Sequence, residues 1–159
     1  YSTVLTTVLA LCGSTLATYV FSKLIRGKIE VEDIANAALA GGVCIGSTCS
    51  TANPGFAMVI GICAGTLSTL GFAIIAPKVC KLIRGTDTCG VHNLHGMPGL
   101  LGGLFGIAIT GNVGVQVGAV VATVVVGLVL GRVCGAILGL FGTKEVPYSD
   151  EGDFLLEEE

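Results

Sequence analysis

Asp87-Thr88-Cys89-Gly90-Val91-His92-Asn93-Leu94-His95-Gly96-Met97-Pro98-Gly99 is the stretch whose reading decides the fold. It holds both histidines of the chain, and from Thr88 to Gly131 there is no Asp, Glu, Lys or Arg. So long an uncharged run is membrane sequence. Ionisable groups at membrane depth are costly and usually face a pathway or a partner helix. Function is therefore sought first at these two imidazoles.

The composition around this run agrees. Of 159 residues 52% are hydrophobic and only 12% charged, against about 25% charged in a soluble domain. The mean hydropathy is +0.88. Trp is absent and Gly numbers 25, a bias that suits membrane helices whose backbones approach closely. The balance excludes a soluble enzyme, and a net charge of −3 gives no reason to expect a nucleic-acid partner. The chain starts at Tyr1 and enters apolar sequence at once, which reads as part of a longer protein.

Working outward, the charges and turn formers divide the chain. A first helix over about 3–25 closes with Lys23, Arg26 and Lys28. The uncharged stretch from Ile34 to Pro77 is about twice the roughly 20 residues that one crossing needs. Asn53-Pro54-Gly55 splits it, because the residue before proline is pushed out of the helical region. This predicts helices over 33–49 and 55–83, then 87–109 and, after the Gly111-Asn112 turn, 113–140. The expected fold is all-α, a polytopic bundle of five transmembrane helices over 1–143 with an acidic tail over 144–159.

With five crossings, every Lys and Arg falls on one side, Arg132 near the end of the fifth helix included. The positive-inside rule makes that side cytoplasmic and leaves Tyr1 outside. The tail's Val146-Pro147-Tyr148 and Phe154-Leu155-Leu156 are candidate contacts for a neighbouring element or a cytosolic adaptor. Glycines at four-residue spacing, among them 42/46, 61/65, 102/106, 114/118 and 127/131/135/139, predict close helix contacts. The seven cysteines lack CxxC or finger spacing and are expected to be small buried residues.

His92 and His95, three residues apart, are expected on one helix face. Counting about 1.5 Å per residue from a helix start at Asp87 puts His95 roughly 12 Å in, near the middle of a core about 30 Å thick. Pro98 cannot donate to the carbonyl of Leu94, so an acceptor is freed one turn from His95. A neutral imidazole offers one donor and one acceptor, which suits a small polar solute; the same groups would serve equally to bond a neighbouring helix. Haem or zinc needs further ligands that these apolar runs do not supply, so no cofactor is expected. Cys89 near Asp87 is a poor nucleophile.

The run 87–99, with Asn36-Ala37-Ala38-Leu39-Ala40-Gly41-Gly42-Val43 and Ser68-Thr69-Leu70-Gly71-Phe72 before it, resembles the Rh glycoproteins of the ammonium transporter family. The resemblance implies the last five helices of an 11–12-helix inverted-repeat fold, a trimer, and ammonia or ammonium as solute, with CO2 as a second. It implies a plasma-membrane protein, not an enzyme. His95 corresponds to the second of the family's paired pore histidines. His92 falls where members carry Asn or His and is the weaker lining candidate, and Asp87 is placed at the helix start or bordering the inner vestibule. The rival expectation is a non-conducting Rh-like membrane scaffold.

Overall fold

A computed structural model describes residues 1–142; the acidic tail and its expected adaptor contacts lie outside the described residues. The regular structure of the described residues is all helical, without strands: α1 (Ser2–Arg26), α2 (Val31–Ile45), α3 (Pro54–Leu70), α4 (Ala76–Ile83), α5 (Met97–Thr110) and α6 (Val113–Gly139). A π-helical turn, Gly71–Ile75, joins α3 to α4, so that Pro54–Ile83 is one 30-residue helix. A second, His92–Gly96, leads into α5. The whole Pro54–Ile83 run, α1 and α6 are long and apolar enough to cross a membrane. The protein is an all-α membrane helix bundle.

Local chemistry explains the ends. α1 stops at Gly27, which has φ 75° and donates its N–H to the Lys23 carbonyl, a left-handed termination without a Cβ penalty. α2 begins with Glu32 and Asp33 in its first turn, where acids complement the helix dipole. The Asp33 carboxylate, with no solvent exposure, takes two guanidinium nitrogens of Arg26 at 3.0 Å each and ties the ends of α1 and α2 together. Asn53 caps α3 by accepting the Phe56 N–H at 2.8 Å, with Pro54 in the first turn, a position where its missing N–H costs nothing.

Two boundaries differ from the sequence expectation. α2 ends at Ile45, not Cys49, and residues 46–52 form turns. Here the hydroxyls take the chain elsewhere: Ser47 donates to the Gly102 carbonyl at 2.7 Å, and Thr6 to the Cys49 carbonyl at 2.6 Å. The helix expected from Asp87 starts only at Val91, because Cys89 and Gly90 have φ of 60° and 65°.

The chain forms two units, Tyr1–Val120 and Val121–Glu159. The first is built on backbone contact. A Cβ on Gly61 would lie 2.2 Å from the Ala10 carbonyl oxygen, one on Gly65 2.3 Å from that of Ser14, and one on Gly41 2.3 Å from that of Ala10. So at these glycines α1 meets α2 and α3 backbone to backbone, beside a core of Ala10, Ala40, Ala57, Ile60 and Ala64. Gly102 seats α5 on the Cys44 carbonyl in the same way. Buried hydroxyls bond across the crossings, Ser14 to the Ala37 carbonyl and Thr18 to that of Gly65, as polar groups do where no water competes.

Not every glycine pair serves this way. Gly114 and Gly118 have no atom within 4 Å of a built Cβ, and in the second unit neither have Gly127, Gly131, Gly135 and Gly139. α6 runs from the first unit into the second, and it is rich in valine and leucine. The cysteine expectation also needs correction: all are free, but only Cys44 is fully buried, and Cys12, Cys89 and Cys134 are exposed. In a bundle whose outer surface is apolar, a small apolar residue is as much at home outside as in.

Candidate functional site

Both π-helical turns precede a proline by two residues, in Ile75-Ala76-Pro77 and Gly96-Met97-Pro98. A proline ring within a helix clashes with the carbonyl four residues back and leaves it without a donor. Widening the preceding turn relieves both. The Ala76 N–H bonds the Gly71 carbonyl and the Met97 N–H bonds that of His92, each five residues back, the π pattern. Both histidines sit on the second of these turns.

Asp87 holds the start of this segment: its carboxylate oxygens accept the His92 backbone N–H at 3.1 and 3.3 Å. Gly90 lies against Phe72, where a Cβ would come within 2.0 Å of the ring. Between them the chain turns sharply and enters the helix with His92 and His95 exposed and Asn93 and Leu94 buried. The imidazoles therefore point away from the bundle's own core. Counted from Val91, His95 is four residues into the helix, about 6 Å, half the depth expected from a start at Asp87.

Asn93 is the buried counterpart of the two histidines, fully enclosed. Its Oδ1 is 3.4 Å from His92 Nδ1. Gly71 lies close to the same oxygen: a Cβ there would stand 2.7 Å from Asn93 Oδ1 and 2.2 Å from Met97 Cε. The two π-turns thus touch at Gly71 and Asn93. Neither His92 nor His95 is ion-paired among the described residues; the ion pairs there are Arg26–Asp33 and Lys28–Glu30. Among the described residues no three His, Cys, Asp or Glu side chains gather to hold a metal.

The three site residues expected from sequence thus fall on one segment, Asp87 joined to the His92 backbone and the histidines on its outer side. Sequence reading passed over Asn93, Gly71 and Phe72. The signal for them was the paired spacing of Pro77 and Pro98, which marks two disturbed turns at matching places.

The model of the Ammonium Transporter Family matches residues 1–151. Ammonium transporter Rh type B of Sus scrofa is 44% identical over 114 residues, covering 70% of this chain and 25% of the relative. Ammonium transporter Rh type A of Bos taurus is 45% identical over 111 residues, covering 67% and 26%. Among solved structures, Nitrosomonas europaea Rh50, of the Rhesus protein family of channels, is similar with a TM-score of 0.88 and 46% identity, covering 97% of this chain and 41% of that one. The matched region is thus about a quarter of the length of these curated relatives.

Proposed function

The chain belongs to the ammonium transporter family, a family of transporters and not of enzymes, and from that premise we propose that the intact protein conducts ammonia through an apolar path to which His95 contributes. One observation carries the assignment to this residue: His95 stands exposed on the outer side of a turn whose inner side, Asn93 and Leu94, is buried. A polar imidazole that the bundle does not use for its own packing is free to meet a solute. His92 shares the exposure and is the second lining group, nearer the end of the path, with Asp87 holding its backbone. The intact protein is proposed to be a trimer in the plasma membrane, Tyr1 outside and Glu159 cytoplasmic, with CO2 as a second solute and a cytosolic adaptor on the tail.

The test is His95→Leu in the intact protein, with ammonia flux measured at matched surface expression. Leu removes a donor and an acceptor and fills the path with apolar bulk. Leaving a solute unpaired costs on the order of 1–3 kcal/mol, so flux should fall roughly tenfold to hundredfold. His92→Asn keeps a polar group and should cost much less. Equal flux in His95→Leu and wild type would remove His95 from the path and favour the non-conducting scaffold.

A further inference from the structure

The run Pro54–Ile83 is 30 residues long, about 45 Å at 1.5 Å per residue, against a hydrocarbon core of about 30 Å. Even tilted by about 40°, the upper end for membrane helices, it outreaches the core. The charges say at which end. Residues 54–77 carry none and are long enough to cross, whereas Lys78, Lys81 and Arg84 follow within seven positions. α4 is therefore the part of this helix that stands in the headgroup layer.

α4 has no buried residue, and its two sides differ. Ala76 and Cys80 line a groove together with Glu32, Phe72 and Asp87. At about 100° per residue, Lys78, Lys81 and Leu82 fall on the opposite side, within about a third of a turn of one another. All three are exposed, Leu82 to 83%. Arg84 ends the helix in the left-handed region, with φ 52° and its N–H on the Cys80 carbonyl, and it is exposed too. The ion pairs among the described residues are Arg26–Asp33 and Lys28–Glu30, so none of these three cations is paired there.

Three cations at a membrane border ask for an anion, and an exposed leucine among them asks for hydrocarbon. Inorganic phosphate supplies only the first, and a zwitterionic lipid brings a cation of its own. An anionic phospholipid supplies both at the depth where α4 stands. We propose that the outer side of α4 is a binding site for such a lipid: Lys78, Lys81 and Arg84 hold the headgroup phosphate, and Leu82 lies along the acyl chains. Long basic side chains are suited to this, since their stems stay in apolar surroundings while the charge reaches the headgroups. The site stands without the conduction reading, because it lies on the side of α4 away from the groove beside the histidine turn.

Delipidated intact protein in neutral detergent, titrated with phosphatidylserine or phosphatidylcholine and read by native mass spectrometry, tests this. Phosphatidylserine is expected to bind at least roughly tenfold more tightly, since each basic residue near an anionic headgroup is worth about fivefold. Lys78→Gln with Lys81→Gln should weaken phosphatidylserine roughly twentyfold and leave phosphatidylcholine unchanged. Lys23→Gln with Lys28→Gln removes equal charge from the other basic link and should keep the preference; all four lysines are exposed, so neither pair is expected to disturb the fold. Leu82→Gln should weaken phosphatidylserine severalfold. No preference between the lipids, equal loss in both double variants, full affinity in Leu82→Gln, or displacement of phosphatidylserine by equimolar inorganic phosphate overturns the site. A protein segment held by these residues in place of lipid would show as the first of these outcomes. Flux is not read, so failure here leaves the assignment of His95 untouched.

Discussion

A methyl group on Gly61 would stand 2.2 Å from the Ala10 carbonyl oxygen, backbone against backbone, so neither partner has a rotamer with which to yield. Gly61→Ala is expected to lower the stability of the intact protein by about 1–3 kcal/mol, the usual cost of overpacking, seen as a lower Tm in detergent. Gly114→Ala is the control: its Cβ would meet nothing within 4 Å, and Ala gains up to about 1 kcal/mol in helix propensity over Gly, so its Tm should be unchanged or higher. If the two variants shift alike, the contact faces have been wrongly divided. At this scale the sequence singled out His92 and His95 as the histidines of an otherwise uncharged run, and the family resemblance added Asp87 beside it. Asn93 and Gly71 escaped it. Their importance lies in touching each other across 22 positions of chain, and nothing in either segment alone records that.

At the scale of elements, the two prolines govern how the histidines are presented. With Pro98 replaced by Ala, the N–H at position 98 can donate to the Leu94 carbonyl, and the His92–Gly96 turn is free to tighten to a regular helix. That rotates His92 relative to His95 and moves both against Asn93. Pro98→Ala should therefore leave Tm unchanged or raised yet lower ammonia flux by roughly tenfold, since a displacement of about 1 Å costs up to about a hundredfold in positioned chemistry. Unchanged flux would show that the wide turn only accommodates the proline. Proline in a helix was legible as a disturbance. Its resolution as a π-turn, rather than a kink, is visible only in the structure, where the Met97 N–H bonds the His92 carbonyl.

For the whole molecule the testable property is orientation. Every Lys and Arg outside α6 and the tail lies in or beside the links after α1 and α4, and the links around Asn53 and Asn112 carry no charge; by the positive-inside rule we propose that those uncharged links lie outside the cell. Cysteine introduced at Ser50 and at Asn112, both exposed, in a background without native cysteines, should react with an impermeant thiol reagent on intact cells. Ser50 is preferred to Asn53 because Asn53 caps α3. Labelling only after permeabilisation reverses the topology. A second expectation concerns Asp33→Asn, which leaves Arg26 facing a fully buried amide where it had two bonds of 3.0 Å. Asp33 is buried but Arg26 keeps 26% of its side chain exposed, so losing the carboxylate costs less than the roughly 3 kcal/mol of a fully buried pair; the variant should lose Tm, whereas Lys28→Ala, in an exposed pair, should not.

The sequence by itself determined that this is a membrane protein, that it is all-helical, and that its family is the ammonium transporters. Each follows from hydropathy, turn formers and a motif, properties read along one line of chain. The tertiary structure decided where α2 stops, where the histidine helix starts, which glycines touch a neighbour, and that Asn93 is enclosed while His92 and His95 stand open. The physical reason is that close approach belongs to two segments at once. Gly61 and Gly114 are alike in sequence, and only the crossing of α1 over α3 makes one indispensable and leaves the other free.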